Sequence, residues 1–200
     1  MSPRRAAAPD QPSLAGFDAA EPTDRLFLAV YPDAATAARI AALAADLRQR
    51  YALHGKPLAT DRLHVTLHHL GDYVGVPNDV VRMATEAAGR VACAPFEVSF
   101  DRVASFSARH SRRPFVLLGE EGTVSMAALQ RSLGQALGAG GLARWVAPQF
   151  TPHVTLLYDD ALVPAQAVEP VRWRVEEFVL VRSLLGQSRH VPLARWALRD

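Results

Sequence analysis

The sequence predicts an α+β fold of two similar lobes, each an antiparallel sheet with helices outside it, related by an approximate twofold and meeting at a central cleft. Three observations carry that prediction. The tetrapeptide His-Val-Thr-Leu occurs twice, at His64 to Leu67 and at His153 to Leu156, 153 − 64 = 89 residues apart. Each copy follows a segment whose apolar residues recur at helical spacing, and each half holds short apolar runs bounded by turn residues, which are strand signals.

Taken in order, Met1 to Asp24 mixes Pro, Ala, Asp and Arg without the apolar core of a secretory signal, so it reads as a disordered tail. Residues 25–200 are expected to form one two-lobed domain. Leu26 to Tyr31 is an apolar run closed by Pro32, a strand. Asp33 can cap the next helix, in which Ile40, Leu43, Ala44, Leu47 and Tyr51 share a face. Gly55 to Pro57 breaks the chain before the first His-Val-Thr-Leu strand. After the turn-rich Gly71 to Asn78, a helix is predicted over Asp79 to Val91, with Val80, Val81, Ala84, Ala88 and Val91 inward. Phe96, Val98 and Phe100 alternate with polar residues, Ser105 to Pro114 reads as a loop, and Phe115 to Leu118 as a strand. Met126, Leu129, Leu133 and Leu137 form a helical stripe that Gly138 to Gly141 ends. Val171 to Val175, Phe178 to Val181 and Pro192 to Leu198 are closing strands.

Composition narrows the class. A chain of 200 residues with 50% hydrophobic and 21% charged residues is that of an ordinary globular domain, and no run of 18 apolar residues would cross a membrane. The net charge is +2, and of 22 basic residues only Lys56 is a lysine. Arginine forks suit phosphate oxygens, but an Ala-, Arg- and Pro-rich chain also follows from codon bias, so charge alone does not make a nucleic-acid binder. Cys93 stands alone near a predicted helix end and reads as a small buried apolar residue; a single cysteine fits a reducing cytoplasm.

The repeated tetrapeptide carries the chemistry. Along a regular strand His64 and Thr66 share one face and Val65 and Leu67 the other; His153, Thr155, Val154 and Leu156 repeat the arrangement. Two opposed imidazoles can act together, one neutral and taking a proton from an attacking hydroxyl or water, the other protonated and giving one to a leaving oxygen. The hydroxyls of Thr66 and Thr155 can bond charged oxygens between them, most naturally those of a phosphate. Apolar residues would stabilise a sheet better at those places, so packing does not explain the pair. His64, His68 and His69 could be taken for a metal cluster, but regular alternation turns His69 away from the other two and no Asp, Glu or Cys joins at ligand spacing. Trp145 and Phe150 could platform a base, although aromatics beside a buried strand are more often core. Gly138-Ala-Gly-Gly141 lacks the Lys and Ser/Thr of a phosphate-binding loop.

The motifs Arg25-Leu-Phe-Leu-Ala-Val30, Leu63-His-Val-Thr-Leu-His-His-Leu-Gly71, Phe150-Thr-Pro-His-Val-Thr-Leu156 and Pro192-Leu-Ala-Arg-Trp-Ala-Leu198 resemble those of the 2H phosphoesterases, in particular the bacterial RNA 2′,3′-cyclic phosphodiesterases, also called 2′-5′ RNA ligases. The resemblance implies the bilobal 2H phosphoesterase fold and a metal-independent reaction, needing no cofactor, in which a terminal 2′,3′-cyclic phosphate is opened to a 2′-phosphomonoester. By that analogy His64 protonates the departing O3′ and His153 activates the water, with Thr66 and Thr155 on the phosphate. Sequence symmetry alone is equally compatible with swapped roles, which would give the 3′-phosphate. The implied partner is an RNA or nucleotide with a cyclic phosphate end, bound by a cytoplasmic monomer without a membrane; 2′-5′ ligation is the reverse of the same chemistry.

Two departures from the family pattern stand out. Tyr158 occupies the place of an arginine that holds phosphate in relatives, so Arg109, Arg112 or Arg113 is expected to substitute. His69 occupies the place of a base-packing phenylalanine. Tyr158 also leaves open a module that binds RNA ends with little turnover, or an enzyme acting on another cyclic or 2′-5′ phosphodiester.

Overall fold

The computed structural model describes residues 20–107 and 112–199. Its elements are β1 (Asp24–Val30), α1 (Ala34–Arg50), β2 (Val65–Tyr73), α2 (Asn78–Ala88), β3 (Phe96–Ser105), β4 (Arg113–Leu118), α3 (Val124–Leu137), β5 (His153–Asp159), β6 (Gln166–Val175), β7 (Glu177–Leu184) and β8 (Arg189–Ala197). Most of the expected tail lies outside the described residues. Its last residue, Asp24, instead opens β1, where the buried carboxylate accepts hydrogen bonds from the Thr23 hydroxyl at 2.6 Å and from Arg182.

The strands form two four-stranded antiparallel sheets, ordered β2-β1-β7-β8 and β5-β4-β3-β6. The lobes are therefore not the two halves of the chain, as the order of elements suggests: the last two strands return to complete the first sheet. The reason is visible in β1 and β7. Leu26 to Val30 and Phe178 to Val181 are continuous apolar runs, buried on both faces, which only central strands can be. One face joins the large core shared by both sheets; on the other, Phe27, Ala29, Val179 and Val181 make a small separate cluster. That cluster is the floor on which the site is built.

The helices tie the lobes together. Asp33 caps α1 as expected, accepting from the Thr36 N–H at 2.9 Å and its hydroxyl at 2.7 Å, and α1 packs on β5 and β6 of the other sheet. Helix α3 reaches both β2 and β3. Its Gly134 faces β2, where a Cβ would lie 3.2 Å from the His68 ring. Gly138 does not end this helix directly; one π turn runs on to Leu142, and Gly141 then takes a positive φ of 87°. The predicted Ser105 to Pro114 loop is shorter than expected, because β3 includes Ser105 and β4 begins at Arg113. Cys93 is half-buried rather than fully buried.

Candidate active site

Both motif strands are edge strands, β2 of one sheet and β5 of the other, and they touch across the cleft. Between them lies a pocket of about 450 Å³ lined by His64, Thr66, His69, His153, Thr155 and Tyr158 among others, a size suited to a nucleotide-scale ligand. All four residues of the two His-x-Thr motifs thus face one cavity.

Each imidazole is oriented by its own backbone. The Nδ1 of His64 donates to the Arg62 carbonyl at 2.7 Å, and the Nδ1 of His153 donates to the Thr151 carbonyl at 2.7 Å. Since a carbonyl only accepts, this fixes the proton on Nδ1 in the neutral ring and leaves Nε2 for the pocket. The His64 Nε2 lies 3.1 Å from the Thr66 hydroxyl. The same i−2 contact occurs at both motifs, so the twofold repeat extends from letters to tautomers.

A second shared feature overturns the regular alternation. In the pairing of β1 with β2, Ala29 faces Thr66 and Leu28 faces His68; in that of β4 with β5, Val116 faces Thr155 and Phe115 faces Leu157. One residue is extra in each copy, Leu67 or Leu156, which is a bulge at the same position of both tetrapeptides. Two successive residues then turn to the core, Leu67 with His68 and Leu156 with Leu157, and the following residue returns to the cleft. His69 therefore points to the pocket with His64, not away from it, and Tyr158 is its counterpart. His68 is the histidine that leaves: it is buried under α3, its Nε2 bonded to the Gln130 carbonyl at 2.8 Å.

Pocket residues that the sequence reading passed over come from neighbouring strands. Phe27 of β1 is 3% exposed and stacks on His64, with ring centres 4.9 Å apart. His190 of β8 meets His64 edge-on at 5.1 Å, and its Nδ1 is 3.1 Å from the Tyr31 hydroxyl. Arg25 and Arg62 are the arginines of the pocket. Arg25 spends its fork on Asp72, with two bonds of 2.7 Å, while the His69 Nε2 bonds the same carboxylate at 3.0 Å. Arg62 forms no ion pair among the described residues, and its Nε is buried without a hydrogen-bond partner. Of the arginines expected to serve here, Arg113 instead donates to the Asp160 carbonyl at 2.5 Å, Arg112 lines adjacent grooves, and Arg109 lies outside the described residues. Trp145 and Phe150 pack against the core, as expected.

Electrostatics separate the two imidazoles. Burial, with the Arg62 and His153 charges adding to it against the Arg62 carbonyl bond, pushes His64 down to about 4. Burial also lowers His153, opposed by its bond to Thr151. His190 is likewise pushed down to about 4, by burial and then by the charges of His64 and Arg62. At neutral pH His64, His153 and His190 are neutral rings beside the unpaired Arg62 guanidinium, an arrangement ready for an anion.

A family profile described as the 2′-5′ RNA ligase superfamily matches residues 31–187, a span holding both motifs and both bulges. The chain belongs to the 2′-5′ RNA ligase superfamily. Its relatives in that family include the RNA 2′,3′-cyclic phosphodiesterase of Escherichia coli K12, 31% identical over 152 residues that span 72% of this chain and 80% of the relative. Among solved structures, Escherichia coli LigT in its apo form superposes with a TM-score of 0.69 at 27% identity, over 90% of this chain and all of that one. The protein TT0787 of Thermus thermophilus gives a TM-score of 0.68 at 26% identity, over 88% and 98% of the two chains. The superfamily's two-sheet architecture is thus that of this chain. Among the described residues no helix is long and apolar enough to cross a membrane.

Proposed function

We propose that this protein hydrolyses RNA terminal 2′,3′-cyclic phosphate to a 2′-phosphomonoester by two-histidine acid–base catalysis. The observation that supports this most directly is the pair of His-x-Thr motifs around one pocket, both rings held through Nδ1 so that Nε2 is left for proton transfer, with the His64 Nε2 beside the Thr66 hydroxyl. The relative from Escherichia coli is named an RNA 2′,3′-cyclic phosphodiesterase, and solved structures of Escherichia coli LigT include one complexed with 3′-AMP.

His153 takes a proton from water as that water attacks phosphorus; the P–O3′ bond breaks as His64 gives its proton to the departing O3′. Each transfer is worth about 10²–10⁴ in rate. Thr66 and Thr155 bond the non-bridging oxygens, and Arg62 takes up their charge. The cyclic phosphate supplies the anion that His64 needs in order to be protonated at pH 7, because an opposite charge beside an imidazole favours its charged form. With a ribose 5′-hydroxyl in place of water, the same steps form a P–O5′ bond as P–O3′ breaks, which leaves a 2′-5′ linkage and a free 3′-hydroxyl.

The test is to incubate the protein, in the presence of a chelator, with an oligoribonucleotide ending in a 2′,3′-cyclic phosphate and to identify the product. A 2′-phosphate is expected, with kcat reduced about 10²–10⁴-fold in His64→Ala and in His153→Ala. Full activity in either variant refutes the mechanism, and a 3′-phosphate product reverses the two roles. Tight binding of RNA ends without turnover would make the protein a binding module.

A further inference from the structure

The catalytic pocket does not end at Tyr158. Leu58, Arg62 and Tyr158 also wall a second groove of about 300 Å³, completed by Lys56, Arg112 and Ser188. Its lining carries three cations and no carboxylate. None of the three is in an ion pair among the described residues, and Arg62 keeps a buried, unpartnered Nε at the junction. Lys56, Arg112 and Tyr158 also line an adjoining depression that holds Asp159 and Asp160; Asp159 accepts from three backbone N–H groups, and among the described residues neither carboxylate is in an ion pair with Lys56 or Arg112.

The other cavity that adjoins the site is larger, about 500 Å³, and shares His190 with it. Its arginines are neutralised: Arg195 is paired with Glu177, Arg174 with Glu176 and Glu97, and Asp33 and Asp61 also line it. A phosphodiester backbone would meet balanced charge there but uncompensated positive charge at Lys56 and Arg112. Those two side chains are exposed, as contacts to a mobile polyanion are.

We propose that the Lys56–Arg112 groove binds the phosphodiester backbone of single-stranded RNA immediately 5′ of the reacting end. The proposal rests on the cyclic phosphodiesterase activity above and adds a subsite that a mononucleotide cannot fill. The enzyme would then prefer polynucleotide ends to free cyclic nucleotides, through salt-sensitive contacts that read no sequence.

The experiment compares a 2′,3′-cyclic mononucleotide with an oligoribonucleotide bearing the same terminal nucleoside, at several salt concentrations. In the double variant K56Q/R112Q, KM for the oligonucleotide should rise while kcat for both substrates and KM for the mononucleotide stay unchanged. Each lost phosphate contact lowers the salt slope by about 0.7, so two remove about 1.4 from log kcat/KM against log salt, roughly a sevenfold difference between 50 and 200 mM. An unchanged slope overturns the proposal, and so does loss of the slope in R174Q/R195Q instead. If neither substrate turns over, the catalytic function fails, not the groove. The same slopes are then read from the anisotropy of a labelled oligoribonucleotide ending in a 2′-phosphate, where equal values for wild type and K56Q/R112Q refute the subsite.

Discussion

The pH dependence of kcat/KM tests the electrostatics of the site directly. The proposed mechanism requires one proton on the histidine pair, and kcat/KM reports that requirement in the free enzyme. His64 is held at about 4, and His153 lies below its ordinary 6.5. The singly protonated pair therefore dominates only between about 4 and a value under 6.5. Both groups are lowered, so both lose their protons early as pH rises, and activity falls on the alkaline side. Above the second value the active fraction drops tenfold per pH unit, which places kcat/KM at pH 7.5 at least about tenfold below its plateau. The profile of kcat behaves differently. In the complex the phosphate anion faces both imidazoles and raises their proton affinity, so the alkaline limb of kcat moves upward. Initial rates on an oligonucleotide with a cyclic end, from pH 4.5 to 8.5 at constant ionic strength and with chelator present, give both profiles. A kcat/KM that stays level from pH 6 to 8.5 would refute the buried, proton-poor histidines.

Arg62→Gln removes the unpaired cation but leaves the backbone carbonyl that holds His64. Loss of one charged hydrogen bond, about 1.5–3 kcal/mol, should raise KM roughly 10- to 100-fold, and relief of the Arg62 charge should move the acid limb of kcat/KM to higher pH; a merely structural arginine would leave that limb in place. Asp159→Asn tests how the first lobe is fastened to the second. The Asp159 carboxylate accepts from the His54 and Gly55 N–H groups, both at 2.6 Å, where a Cβ on Gly55 would stand 2.1 Å from the Tyr158 carbonyl oxygen. Losing two charge-assisted bonds costs about 3–5 kcal/mol, which at about 2–4 °C per kcal/mol lowers Tm by roughly 6–20 °C at pH 7. Because hydrogen bonds to Ala161 and Gly55 lower the Asp159 pKa, its stabilisation exists above the unfolded value and disappears as pH falls through the folded one. Thermal melts at pH 7 and pH 3 should therefore show the gap between wild type and variant closing in acid; a gap that stays constant would contradict it.

Local signals gave most elements their place. The Asp33 cap, the apolar run of β1 and the helical stripe of α3 act within a few residues of themselves, and both His-x-Thr pairs emerged facing one cavity. What escaped depends on pairing between distant strands. Whether β7 completes the first sheet is decided by which strand pairs with the second edge of β1, a choice that periodicity does not encode. His190 and Phe27 enter the pocket only through that choice, since β8 follows β7 and β1 lies between it and β2. The bulge was half legible: Leu156 and Leu157 are adjacent apolar residues in an otherwise alternating strand, which signals an extra residue. In the first copy the corresponding pair is Leu67 and His68, and a polar residue in a core position hid the signal. Arg62 was within reach, two residues before His64, at the position whose carbonyl holds the ring.

The backbone twofold makes the two imidazoles alike in tautomer and direction, yet acid–base catalysis needs them to differ at one moment. A perfect repeat would give them equal proton affinities; the flanking residues break that equality. At i−2, the first motif has Arg62 and the second has Thr151. His64 sits between Phe27, Tyr31 and His190, whereas His153 has Phe106 edge-on at 4.9 Å. Of the two motif rings, His64 is therefore the one more strongly held from protonation in the free enzyme and the one more altered by an anion, because a phosphate paired with Arg62 cancels a charge that had opposed protonation. A group that gains its proton as substrate arrives is matched to protonating the leaving oxygen. One whose environment lacks that adjacent cation is matched to accepting the proton of water. Separation of proton affinities by unequal surroundings is how paired titratable groups divide acid and base roles, and here it is supplied by residues outside the repeat.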